Sequence, residues 1–189
     1  MPSTEPGFDA PSRQQLRALA AASIRHGLEQ GRPLTPDPQA YPETLRAARA
    51  SFVTLNRHGA LRGCIGSLEA CRPLLVDVAE NAFAAAFRDP RFPPLRAEEL
   101  SDLEIHLSVL SPPAPVDFRD EADLIAQLRP GVDGLILSFD RHRGTFLPSV
   151  WSSLPQPAQF LTELKRKAGL PADFWSPDLR VQRYTTEMF

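Results

Sequence analysis

The chain has 189 residues, 42% of them hydrophobic, enough for a core of its own in a single domain with a small additional lobe. A formal net charge of -2 offers no positive field for binding a phosphate backbone without regard to sequence, which disfavours a nucleic-acid-binding regulator. No apolar run approaches the roughly 20 residues that span a bilayer. The opening MPSTEPGFDAPSRQQ lacks the basic and apolar regions of a secretory signal, so a soluble, cytoplasmic protein without membrane contact is expected. The two cysteines, Cys64 and Cys71, suggest neither a disulfide framework nor a zinc motif.

Residues 1–11 read as a flexible N-terminal tail and residues 12–189 as one domain with a small sub-lobe. Ser12 is expected to open a helix, with Gln15 completing a capping box. Leu16, Leu19, Ala20, Ile24 and Leu28 recur at helical spacing, and Gly31 supplies the stop. Prolines break up GRPLTPDPQAYPETL, which reads as an extended loop over a cleft. ASFVTLNRHGALRGCIGSL predicts two strands joined by a turn at NRHG. A helix starting at Pro73 runs through PLLVDVAENAFAAAFR to the stop at DPRFPP.

LEIHLSVLS is the clearest strand, with Leu103, Ile105, Leu107 and Val109 on one face and Glu104, His106 and Ser108 on the other. DEADLIAQL predicts a short helix. GLILSFD and GTFLPSV predict a hairpin around RHR, and QFLTELKRKAG a late helix closed by Gly169. Strands arranged in hairpins and mixed with helices point to an α+β fold with mainly antiparallel pairing.

The most informative stretch is LRGCIGSL, residues 61–68. On a regular strand Arg62, Cys64 and Gly66 share one face, with neighbours about 7 Å apart. A guanidinium beside a thiol favours the thiolate, and flanking glycines let a ligand or another backbone approach closely. Cys64 is then a nucleophile or redox thiol with Arg62 as its activator, and Gly63, Ile65 and Gly66 line the surrounding site. The alternative is a buried packing cysteine in a bulge against a helix. Arg91, in RDPRF, either pairs with Asp89 on the surface or joins Arg62 in binding a carboxylate or phosphate.

Glu104 and His106 form an acid–base or ligand-binding pair on one reading and an ordinary solvated strand face on the other. Lys165, Arg166 and Lys167 complement a helix dipole. Trp151 and Pro148 read as packing residues. His26, His58 and His142 show no metal-ligand spacing, and no cofactor-binding loop or iron–sulfur cysteine cluster is present, so neither metal nor cofactor is expected.

LRGCIGSL, ENAFAAAFRDPRFPPL, LEIHLSVLSPP, GLILSF, GTFLPSVW, FLTELKRKAGLP and RYTTE occur in unbroken order. Together they resemble the AMMECR family, and most closely its bacterial members, called AmmeMemoRadiSam system protein A. The resemblance runs from about residue 13 to the C-terminus. It implies an α+β fold in two unequal lobes forming a cleft, with the Arg-Gly-Cys-Ile-Gly string near that cleft. It also implies association with a Memo-like protein and a radical SAM protein. Two readings stand side by side: a catalytic component built around Cys64 and Arg62 acting on an unidentified substrate, and a non-catalytic module that binds a partner or ligand.

Overall fold

The computed structural model describes residues 7–189. They separate into two compact units, one of residues 7–110 with 187–189 and the other of residues 111–186. Helices and antiparallel sheets build both, as the α+β reading expects.

In the first unit, α1 spans Ala10–Gln30. Its cap is Asp9 rather than the expected Ser12: the Asp9 carboxylate accepts the Ser12 N–H at 2.9 Å, and Pro11 fits the first turn, where an N–H has no helical partner. The expected tail therefore overlaps ordered structure. Residues 1–6 lie outside the described residues, but the Phe8 N–H donates to the Glu187 carboxylate and the Phe8 ring meets Phe189.

Strands β1 (Ser51–Arg57) and β2 (Ala60–Gly66) form the predicted hairpin. Its two-residue turn places His58 and Gly59 at φ of 50° and 75°, the left-handed geometry that matches strand twist. After α2 (Glu43–Arg46) and the hairpin come α3 (Leu74–Phe87) and β3 (Leu103–Leu110). The sheet runs β2-β1-β3 and ends on the C-terminal strand Thr186–Met188, with β1 antiparallel to both its neighbours.

Val53, Leu55, Leu107 and Val109 point to one face and are buried with Leu16, Ala20 and Ile24 of α1 and Val78 and Ala82 of α3. The alternate residues, among them Thr54, Cys64 and His106, take the other face. The proline-rich segment does not arch over a cleft. Leu34 and Tyr41 pack against Leu19, Leu75 and Ala79, and Leu45 is fully buried, because anchored apolar side chains gain more on the helices than in water.

The second unit contains β4 (Ala114–Pro115), α4 (Glu121–Gln127), β5 (Gly134–Phe139), β6 (His142–Phe146), α5 (Pro157–Lys167) and β7 (Arg180–Tyr184). Its antiparallel sheet runs β4-β7-β5-β6. The hairpin turn falls at Asp140–Arg141, slightly ahead of the predicted RHR, and His142 and Arg143 already pair in β6. Trp151 stacks on Phe160 at 3.8 Å between centroids and donates its indole N–H to the Asp133 carbonyl, the packing role expected of it. Lys165 goes beyond dipole complementarity: it is fully buried, with Nζ 2.6 Å from Glu121 Oε1. No described helix is long and apolar enough to cross a membrane.

Candidate functional site

β2 is an edge strand, so one side of its backbone faces no other strand. At Cys64 that side is met by side chains. The Cys64 N–H donates to Asp89 Oδ2 at 2.9 Å, and its carbonyl accepts from Arg91 Nη2 at 3.3 Å. Asp89 and Arg91 follow α3 in the DPRF turn and form a two-pronged ion pair, Nε to Oδ1 at 3.0 Å and Nη2 to Oδ2 at 2.7 Å. The pair thus imitates a neighbouring strand and blocks the edge at this point.

Asp89 is almost completely buried. The Arg91 guanidinium, with help from the Cys64 N–H, holds its carboxyl well below the usual carboxylate range despite the opposing effect of burial. The Asp89 hydrogen bond in turn raises Arg91, and the nearby Cys64 adds a small contribution in the same direction. The Arg91 side chain is 55% exposed, and its Nη1 has no hydrogen-bond partner among the described residues.

Arg62 does not stay beside the thiol. The register jumps from Leu55–Gly63 to Asn56–Leu61, so Arg62 is the extra residue of a bulge and strand alternation is interrupted at it. Its guanidinium turns to Glu99, with Nε to Oε1 at 2.8 Å and Nη2 to Oε2 at 3.0 Å, and to the Pro93 carbonyl. This fork, joined by the Arg96 N–H and the charge of Arg57, lowers Glu99 to about 2. The activation of Cys64 expected from Arg62 is therefore not the arrangement observed. The cation that meets the Cys64 peptide is Arg91.

The other residues of the string divide between the two faces. Gly63 lies against α3 so closely that a Cβ there would sit 2.1 Å from the Ala85 carbonyl oxygen. Ile65 packs against the core of the first unit. Gly66 leaves room for the Phe52 ring, which a Cβ would approach to 2.2 Å. Gly63 and Ile65 thus turn to the helices, away from the Cys64 side chain.

Glu104 and His106 lie on the open face, 3.7 Å apart and each more than half exposed. They are not on a strand adjoining Cys64. β1 intervenes, so two strand spacings, about 10 Å, separate His106 from Cys64. Among the described residues, no group of three or more His, Cys, Asp or Glu side chains is placed to hold a metal ion.

An AMMECR1 family model matches residues 17–189. The chain belongs to the AMMECR1 family. A protein of Methanothermobacter thermautotrophicus is 44% identical over 154 residues, covering 80% of each chain. One of Thermotoga maritima is 38% identical over 169 residues, covering 88% of this chain and 91% of its own. The crystal structure of an uncharacterised protein from Pyrococcus horikoshii matches with a TM-score of 0.79 at 34% identity, over 96% of this chain and 92% of that one.

Sequence reading missed two parts of this AMMECR1 site. Thr54, whose Oγ1 lies 3.3 Å from Cys64 Sγ, carries no signal beyond its strand parity. The second is a buried network at the open end of the hairpin. Asp77 accepts from the Ser51 N–H and hydroxyl, the Ser67 hydroxyl, Arg72 Nε and Asn81 Nδ2. An Asp and an Asn four residues apart on an otherwise apolar helix face are the signal that could have found it.

Proposed function

We propose that this AMMECR1 chain is a component of a modification system in which Cys64 is the nucleophile and a partner completes the chemistry. The observation that carries the reading is the fixing of Cys64 at its backbone N–H, its carbonyl and its side chain, with Sγ on the face opposite the helices. A complete constellation brings nucleophile, base and charge stabiliser within hydrogen-bond reach of one another. Here Cys64 is the nucleophile and the open end of the Arg91 guanidinium the contact for a carboxylate or phosphate, while among the described residues no base touches the thiol. The likeness to AmmeMemoRadiSam system protein A supports a Memo-like protein or a radical SAM protein as the source of the missing part.

The test is reconstitution of this chain with such partners, comparing wild type, Cys64→Ala and Arg91→Ala. The purified chain alone should show little or no turnover. In the complete system Cys64→Ala should abolish turnover and Arg91→Ala should weaken dependence on an anionic substrate. A Cys64→Ala chain that supports full turnover overturns the nucleophile and favours the non-catalytic binding module, for which the absence of a contacting base already speaks.

A further inference from the structure

The sheet register sets Cys64 beside a polar neighbour on β1. Thr54 lies directly opposite Cys64 on β2 and His106 on β3. Because the Cys64 N–H and carbonyl point off the sheet edge to Asp89 and Arg91, Thr54 and Cys64 exchange no backbone bonds across the hairpin. In antiparallel sheets that kind of pair brings side chains closest. Thr54 Oγ1 accordingly reaches Cys64 Sγ at 3.3 Å.

A hydroxyl can accept a hydrogen bond from a neutral thiol, but toward a thiolate it can only donate one. Donation to an ionised acceptor is about twice as strong as a neutral hydrogen bond, so this contact favours the charged sulfur. Threonine is also β-branched and stiff at χ1, which suits it to hold a neighbour in place. His106 is too far across the sheet to take the thiol proton directly, and among the described residues Thr54 is the side chain that hydrogen-bonds Sγ.

We infer that Thr54 is the positioning residue of Cys64, its hydroxyl holding Sγ on the open face and donating to the thiolate. This rests on the reading of Cys64 as a nucleophile. When the thiol ionises its proton passes to solvent, and the Thr54 hydroxyl keeps its own proton and turns it toward sulfur.

The experiment is alkylation of the folded protein by iodoacetamide across pH, with peptide mass spectrometry separating Cys64 from Cys71. The exposed Cys71 is the reference thiol within the same molecule. Thr54→Val, Thr54→Ser and His106→Gln are compared with wild type, and thermal melts verify folding. In Thr54→Val the midpoint of the Cys64 pH–rate profile should move up by about one unit, an approximately tenfold loss of thiolate at neutral pH, with Cys71 unchanged. Thr54→Ser should restore the profile, and His106→Gln should leave it in place.

A reactive Cys64 whose profile is the same in wild type and Thr54→Val overturns this inference and spares the nucleophile. A shift in His106→Gln as large as that in Thr54→Val overturns the assignment to Thr54. A Cys64 that fails to alkylate in folded wild type overturns the functional reading itself.

Discussion

Gly63→Ala separates a packing glycine from one kept open for a ligand. The new Cβ would lie 2.1 Å from the Ala85 carbonyl oxygen, a backbone atom of α3. Relief requires β2 and α3 to part by about 1 Å, since a backbone carbonyl cannot rotate away as a side chain does. Overpacking of this kind costs about 1–3 kcal/mol, and a rigid neighbour puts Gly63 at the upper end. Gly63 is not among the glycines at positive φ, so alanine is conformationally admissible and recovers up to about 1 kcal/mol in strand propensity. The net expectation is a loss of about 2 kcal/mol, or roughly 1 M in urea midpoint for a slope near 2 kcal/mol per M. Far-UV circular dichroism is the appropriate probe, because both tryptophans, Trp151 and Trp175, belong to the other unit and their fluorescence reports there. Gly66→Ala, which meets the movable Phe52 ring, should cost less. A Gly63→Ala midpoint within about 0.2 M of wild type, or a larger loss in Gly66→Ala, would refute the packing argument.

Two further perturbations test the ion pairs. Glu99 titrates lower in the folded chain, at about 2, than its ordinary 4.5, so its pairing stabilises fully above 4.5 and the contribution is lost as pH falls toward 2. Glu99→Gln should therefore flatten the acid limb of a stability-against-pH curve in that window, and an unchanged limb would show that the Arg62 fork contributes nothing. In the second unit, Glu121→Ala leaves the buried Lys165 ammonium with the Ala172 carbonyl and the Trp175 ring but no carboxylate and should destabilise by about 2 kcal/mol, whereas Lys165→Met should be nearly neutral. Chemical denaturation of the two variants checks the order, and equal losses would contradict it.

The helices other than α2, and the longer strands, are legible because their apolar periodicity coincides with what they bury, whereas Glu43–Arg46 lies at the end of the segment that its prolines mark as a loop. β3 is the clearest case: Leu107 and Val109 are in the core while Glu104 and His106 remain exposed, as alternation requires. Strands β4 and β7 and the C-terminal strand carried no such signal. They have 2, 5 and 3 residues, and Arg180–Tyr184 mixes charged and apolar positions instead of alternating cleanly. The cap of α1 was misplaced because Ser12 and Asp9 are both good caps, and tertiary contacts of Phe8 with Glu187 and Phe189 favour the earlier start.

At the site, strand parity predicted the wrong companion for Cys64. Parity assumes an uninterrupted pleat, and a single unpaired residue at Arg62 is enough to send that guanidinium to Glu99. What parity could not supply was a partner 25 residues away reaching the strand through its backbone, as Asp89 does. With those contacts placed, the string Arg62 to Gly66 has a packing explanation at every position but one. Arg62 is required by Glu99, Gly63 by the Ala85 carbonyl, Ile65 by the core and Gly66 by the Phe52 ring. Asp89 and Arg91 bind the peptide of residue 64, which any amino acid except proline presents alike. The sulfur is held more lightly, by the Thr54 hydroxyl at 3.3 Å, and a serine or an alanine would occupy the same place on the strand without a clash. The alkylation profiles of wild type and Thr54→Val decide between packing and chemistry as the use of that contact.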